Sequence, residues 1–209
     1  MSALHRPLRA AFIGGSNTSA VGYAHFAAAR MDGRFDLWAG CFSRDTTTNV
    51  ATGAQYGVHS RRVYSDWRDM ISAEARNLDA AIVLTPTPDH AAIVSECVQN
   101  GVGVICEKAL AANSTEAKSL LDLVTREHGF LAVTFNYSGY PMVRELRALI
   151  RSGALGNIIQ IHAEMPQEGF IRRNGATPAA TPQAWRLSDG RAPTLHLDLA
   201  VHLHQLVYY

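Results

Sequence analysis

The stretch Leu8-Arg9-Ala10-Ala11-Phe12-Ile13-Gly14-Gly15-Ser16-Asn17-Thr18-Ser19-Ala20-Val21-Gly22 decides how this chain is read. A short apolar run, Leu8 to Ile13, ends in Gly14-Gly15. It passes through the polar turn Ser16-Asn17-Thr18-Ser19 and enters a helical pattern from Ala20 to Met31. Glycines at the end of a strand permit a tight turn and let the backbone approach a pyrophosphate. The start of the following helix adds N–H donors and a partial positive charge. The match to G-x-G-x-x-G is loose, because Ser16 stands where the second glycine belongs. A plain strand–turn–helix connection has the same appearance.

Working outward, the same alternation repeats. Phe35 to Phe42 reads as a second strand, and Thr46 to Tyr56 as a helix stopped by Gly57. Ser65 to Ile71 is a short helix. Ala80 to Leu84 is an uninterrupted apolar run, as expected of a parallel strand covered on both faces. Pro88 to Asn100 is helical with Gly101 as its stop, and Val102 to Cys106 is the next strand. Ser114 to His128 is a helix with a capping box at Ser114 and a stop at Gly129, followed by the strand Phe130 to Thr134. Strands alternating with helices of this length predict βαβ units, a parallel sheet and right-handed crossovers. The fold class is therefore α/β, a doubly wound Rossmann-type sheet over residues 1–134. From residue 135 the pattern thins. Pro141 to Ser152 is a helix, Ile158 to Glu164 alternates like a strand, Gly169 to Ala184 reads as a loop, and Thr194 to Tyr209 as a helix. One strand and two helices do not make a second core of ordinary size.

The bulk numbers bound the function. Of 209 residues, 47% are hydrophobic and 18% charged, which excludes a disordered tail. A net charge of +1 without a basic stripe argues against a nucleic-acid partner. No run approaches the roughly 18 apolar residues of a membrane span. The three cysteines, Cys41, Cys97 and Cys106, form no C-x-x-C motif. Cys41 and Cys106 sit in apolar strands and read as buried thiols of a reducing compartment. Met1 to Arg9 lacks an apolar segment after its basic residues, so no signal peptide is expected and the location reads as cytoplasmic.

Four further segments carry chemistry. In Cys41-Phe42-Ser43-Arg44-Asp45, Ser43 and Arg44 fall where an acidic residue would hold the ribose hydroxyl of NAD and an arginine would hold the 2′-phosphate of NADP. That favours NADP; alternatively, Arg44 is a solvated turn residue and Asp45 caps the next helix. In Leu84-Thr85-Pro86-Thr87-Pro88-Asp89-His90, two prolines fix a loop at the carboxyl end of a strand, where open α/β sheets bind ligands. A lone histidine such as His90 at a helix start is otherwise structural. In Val104-Ile105-Cys106-Glu107-Lys108, adjacent charges directly follow a buried strand. The lysine can act as an acid or orient a hydroxyl; an ordinary strand end reads the same way. In Leu197-Asp198-Leu199-Ala200-Val201-His202, the i, i+4 spacing puts Asp198 and His202 on one helix face, a usable proton-transfer pair. A capping or core pair has the same spacing. A metal site with His196 ranks low, because no carboxylate or cysteine cluster supports it.

Taken together and in this order, these elements resemble the glucose–fructose oxidoreductase/inositol dehydrogenase family, Gfo/Idh/MocA, over the whole chain. Thr85-Pro86 with His90 looks like its nucleotide loop, and Glu107-Lys108 like its E-K-P motif, whose lysine is catalytic. Phe135-Asn136-Tyr137-Ser138-Gly139-Tyr140-Pro141 and Leu149 to Gly156 look like its approach to the second domain, and Asp198 with His202 like its D-x-x-x-H pair. The resemblance implies an NAD(P)-dependent oxidoreductase that moves a hydride at a CH–OH or carbonyl carbon of a sugar, cyclitol or related polyol. It implies Lys108, Asp198 and His202 as catalytic residues. It adds Thr85, Pro86, His90 and Glu107 to the cofactor contacts Gly14, Gly15, Ser16, Ser43 and Arg44 read from the turns, which favour NADP over NAD; no metal and a homo-oligomer are expected. Residues 135–209 are then the incomplete start of an α+β open-sheet domain for substrate and oligomer contacts, cut short at the C-terminus. The chain departs from the family pattern at Ser16, at Ala109 in place of the proline of E-K-P, and in lacking glycines just before Asp198. Half-built sheet edges favour self-association. A non-catalytic cofactor-binding or regulatory protein, and an NAD-dependent glycosidase, remain the alternatives.

Overall fold

The computed structural model describes residues 6–167 and 182–209. It divides into two compact units, 1–133 and 134–209. The first is an α/β unit whose strands are β1 (Leu8–Gly14), β2 (Phe35–Cys41), β3 (Ala80–Leu84), β4 (Gly103–Glu107) and β5 (Leu131–Thr134). Between them run α1 (Ala20–Met31), α2 (Thr46–Tyr56), α3 (Trp67–Glu74), α4 (Thr87–Gln99) and α5 (Ser114–Arg126). The strand order is β2-β1-β3-β4-β5, and β1 pairs in parallel with both β2 and β3. Strand order therefore reverses between β1 and β3. In open α/β sheets that switch point is where a crevice opens at the carboxyl ends of the strands.

The sheet is covered on both faces, and the strand period of two sorts its residues. Ala11, Ile13, Ala81, Val83, Val104 and Cys106 point to one face. There they meet Met70 and Ile71 of α3, Ile93, Val94 and Cys97 of α4, and Leu120 and Leu123 of α5. Ala10, Phe12 and Ile82 point to the other face, against Phe42, Tyr56 and Phe26. Tyr56 stacks on Phe26 at 4.1 Å between centroids and meets Phe12 edge-on at 6.3 Å. Each fully buried large side chain here contributes about 1.5–3 kcal/mol.

One residue of β2 is surplus to the β1 register: Ala10 faces Leu37 and Ala11 faces Ala39, with Trp38 between them. The indole of Trp38 lies between two guanidinium groups, Arg9 at 3.9 Å and Arg62 at 3.3 Å from the ring centroid. Its N–H donates to the Glu74 carboxylate at 2.9 Å. The Tyr64 hydroxyl (3.0 Å) and the Asn77 amide (3.1 Å) donate to the same carboxylate. Burial alone would raise the Glu74 carboxyl, but these hydrogen bonds and the nearby Arg62 outweigh it and hold Glu74 below the usual carboxylate range.

Local chemistry sets the helix ends. Ser19 caps α1, Asp45 caps α2 and Asp66 caps α3, each side chain accepting a backbone N–H of the first turn. Gly57, in the left-handed region at φ +77°, ends α2 as expected. The capping box of α5 lies one residue earlier than expected. Asn113, not Ser114, is the cap: it accepts the N–H of Glu116, and Glu116 returns bonds to the Ala112 N–H and the Asn113 amide. Asn and Ser are equally competent caps, and the position of the returning glutamate decides between them. Cys97 and Cys106 are fully buried and Cys41 partly so. Burial pushes the Cys41 thiol up to about 11, with Asp66 adding to it, and the Cys97 thiol up to about 12.

In the second unit, α6 (Pro141–Arg151) follows a short 3₁₀ turn, Asn136–Gly139. A single π-helical turn, His196–Ala200, runs into the closing helix α7 (Val201–Tyr208), where one continuous helix from Thr194 was expected. The strand expected at Ile158–Glu164 does not form: the segment has no regular structure, and Ile159 is 97% exposed. Alternation in sequence marks a face, but a strand also needs a neighbour for its N–H and C=O groups, and no strand of this unit lies among the described residues. Most of the loop expected at Gly169–Ala184 lies outside the described residues; its last residue opens a 3₁₀ turn, Ala184–Arg186. No helix among the described residues is long and apolar enough to cross a membrane.

Candidate functional site

The carboxyl ends of β2, β1, β3 and β4 stand side by side, so the turns that follow them form one row. The turn after β1 is built on left-handed glycines, Gly14 at φ +82° and Gly15 at φ +73°. A Cβ on Gly14 would sit 2.9 Å from the Leu84 carbonyl, and one on Gly22 would sit 2.2 Å from the Gly15 carbonyl oxygen. Gly22 thus lets α1 pack directly onto the turn, the close helix–strand approach that a dinucleotide fingerprint obtains from its last glycine. The loop between them is longer than the fingerprint, and side chains fasten it. Ser16 meets Thr18 through their hydroxyls at 2.9 Å, the Asn17 N–H donates to the Thr52 hydroxyl, and the Asn17 amide donates to Gln55 of α2. Sequence reasoning assigned no role to Gly22, although a glycine inside a helix costs about 1 kcal/mol relative to alanine and so asks for a packing reason.

After β2, the buried side chain of Asn49 accepts the backbone N–H of Phe42 (2.8 Å) and of Ser43 (3.3 Å) and donates to the Tyr64 carbonyl (2.8 Å). This shapes the Ser43-Arg44 turn. Asp45 is occupied as the cap of α2; its hydrogen bond from Thr48 holds its carboxyl below the usual range. Arg44 is 89% exposed and its guanidinium donates to Asp89 of α4 at 2.9 Å. The turn thus presents an arginine and spends its acidic residue elsewhere.

After β3, Thr85-Pro86 leads into α4, with Pro88 in the first turn and Thr87 buried. His90 is turned inward and has no exposed surface. Its Nδ1 lies 2.7 Å from the Ala109 carbonyl oxygen and its Nε2 2.8 Å from that of Thr85. A side chain buried in this way reaches a ligand only through the loops it holds. After β4, Glu107 meets His25 of α1 at 2.8 Å, and its second oxygen accepts the Lys108 N–H at 3.3 Å. The Lys108–Ala109 peptide bond is cis. The role of His25 was not legible in sequence, because its partner lies 82 residues away.

The second unit holds Asp198 and His202. Asp198 accepts a hydrogen bond from the Arg186 guanidinium at 3.2 Å, and the Arg186 guanidinium also stands over the Trp185 ring at 4.9 Å from its centroid. His202 is nearly buried, edge-on to the rings of Phe135 (6.0 Å) and Tyr137 (4.7 Å).

A parallel sheet in this order, with a left-handed glycine turn feeding a helix at the switch point, defines a nucleotide-binding α/β domain. The profile of the oxidoreductase family with an NAD-binding Rossmann fold, GFO_IDH_MocA, matches residues 8–135, and the chain belongs to that family. It is 32% identical over 97% of its length to the uncharacterized oxidoreductase YfiI of Bacillus subtilis, of which it covers 53%. It is 30% identical over 69% of its length to the levoglucosan dehydrogenase of Pseudarthrobacter phenanthrenivorans, of which it covers 35%. An inositol dehydrogenase homolog from Azotobacter vinelandii, complexed with NADH and myo-inositol, superposes with a TM-score of 0.71 at 35% identity, covering 74% of this chain and 42% of that one. The chain thus spans about half the length of these relatives, or less.

Proposed function

We propose that this chain carries the cofactor site and reacting groups of an NAD(P)-dependent dehydrogenase acting on a sugar, cyclitol or related polyol. The observation that carries the reading is the row of turns after β2, β1, β3 and β4: it sets a left-handed glycine turn, an exposed arginine and Lys108 along one end of a parallel sheet. The names of the levoglucosan and inositol relatives support the substrate class. Gly14, Gly15 and Ser16 take the pyrophosphate on backbone N–H groups, which the absence of Cβ atoms at the two glycines permits. Ser43 and Arg44 take the adenosine ribose, with Arg44 favouring NADP over NAD. Thr85, Pro86 and Glu107 line the rest of the cofactor site, and His90 acts through its loops. The nicotinamide, when bound, supplies the hydride chemistry. In the first unit the Lys108 ammonium donates a hydrogen bond to a substrate oxygen; in the second, His202 takes or returns a proton and Asp198, one helical turn before it, orients the imidazole. Residues 1–134 form the cofactor domain, and 135–209 begin the domain for substrate and for contacts between copies of the chain.

The test is a fluorescence titration with NADPH and NADH, followed by turnover of a polyol panel by wild type and Lys108→Ala. Saturable binding, tighter for NADPH, with turnover reduced at least about 100-fold in the variant, is expected. No binding by a folded sample would overturn the reading. Binding with no turnover of any polyol would leave a cofactor-binding protein instead.

A further inference from the structure

Lys108 is the group whose placement the proposed reaction needs most, and its stem is the most flexible of any side chain assigned there. The residue after it is alanine, which leaves the backbone φ unconstrained, unlike a proline. Something else must fix where the stem starts. Upstream, the Lys108 N–H is held by Glu107, which is held by His25. Downstream, the Ala109 carbonyl faces the imidazole of His90, whose other nitrogen faces the Thr85 carbonyl. The ring spans the loops after β3 and β4, joining positions 5 and 19 residues from itself in the chain. It has no exposed surface, and Ala109 is buried beside it.

We infer that His90 is a positioning residue for Lys108. Its ring bridges the loop that leads into α4 and the peptide that follows Lys108, so that the lysine stem leaves from a fixed point. A bridge in a solvent-free position is sensitive to shape and to polarity. An apolar residue of similar bulk fills the space yet takes the ring N–H away from the carbonyls that His90 faces, and the Lys108–Ala109 segment shifts to find another donor. The inference rests on the reading of Lys108 given above, but its structural half can be measured without turnover.

Lys108 and Lys118 are the only lysines in the sequence. Lys118 lies on α5, exposed and paired with Asp122. Reductive methylation with ¹³C-formaldehyde therefore gives two lysine signals, one a probe and one an internal reference. The full chain is labelled as wild type, His90→Leu and His90→Gln. In wild type the Lys108 signal stands apart from that of Lys118. In His90→Leu it moves toward the Lys118 position while Lys118 stays; in His90→Gln, which restores donors to the bridge, it returns most of the way. On unlabelled protein, His90→Leu lowers kcat about 30- to 100-fold with KM and cofactor affinity within about threefold, and His90→Gln recovers at least about tenfold of that loss. An unmoved Lys108 signal in folded His90→Leu overturns the inference, as does an equal loss in the Leu and Gln variants. If His90→Leu does not fold, His90→Asn replaces it: the shorter amide reaches only one carbonyl, and equal Lys108 signals in the Asn and Gln variants overturn the inference. If wild type turns over no polyol while the Lys108 signal still responds to His90, the dehydrogenase reading falls and the bridge stands.

Discussion

The two units of this molecule are held together by different means. Among the described residues, every buried apolar side chain lies between Ala10 and Leu123, in the first unit. In the second, only Thr194 and His202 are buried, while Met142, Leu146, Leu149 and Ile150 of α6 are exposed. The first unit closes its own core, with strand residues alternating between two faces and helices over both. The second relies on a few individual contacts: Thr194 on Asp189 and Ser188, His202 beside the rings of Phe135 and Tyr137, and Arg186 on Asp198. Self-sufficiency in folding and possession of functional groups are thus separable. Both units carry residues assigned to the reaction, and one of them has almost no core.

The largest effect that would test this contrast is core truncation. Phe12→Ala or Ile71→Ala should cost about 3–5 kcal/mol in urea unfolding, while Leu146→Ala on α6 should cost under about 0.5 kcal/mol. Comparable costs would break the comparison. Next, Gly22→Val should weaken NADPH binding at least about tenfold and destabilise the first unit by about 2–3 kcal/mol, since its Cβ would meet the Gly15 carbonyl. A variant that binds normally would show that α1 can retreat from the turn.

A smaller effect concerns acid. The Glu74 carboxyl is held below its ordinary value of 4.5, so its contribution is fully present above that pH and is lost as pH falls through the lower folded value. The urea midpoint of wild type should fall below about pH 4.5, and Glu74→Gln should lose about 1 kcal/mol less stability than wild type over that interval. Parallel pH profiles for the two proteins would remove Glu74 from the account. The smallest effect on stability is expected at Arg44→Ala, under about 0.5 kcal/mol because the ion pair with Asp89 is exposed. Its NADPH affinity should nevertheless drop about tenfold with NADH affinity unchanged, which titrations with both cofactors would read.

The first unit was legible in sequence because its signals are local and agree with one another. Ala80–Leu84 could only be a buried strand, and α1 and α2 occupy the spans that Ser19, Asp45 and Gly57 mark out. The four turns of the candidate site could be found the same way, each at the end of an apolar run. What the turns do with their side chains could not. Whether His90 at a helix start points outward or inward depends on Ala109, and what Glu107 meets depends on His25 across the sheet. The alternation of Ile158–Glu164 misled for the opposite reason: its local pattern is sound, and the neighbour that would make it a strand is missing from the unit. Glu74 shows the same limit, since nothing near it in sequence announces that Trp38 and Tyr64 converge on it.

The indole held between Arg9 and Arg62 has a practical use. Trp38 sits at the register shift between β1 and β2, stacked on cations and hydrogen-bonded to a carboxylate, so its emission is tuned by three charges at once. Opening that cluster changes the colour and yield of its fluorescence with no label added. With Trp67 and Trp185 replaced by phenylalanine, the chain would carry an optical gauge of its first unit, and a titration followed at that wavelength would read the integrity of the scaffold.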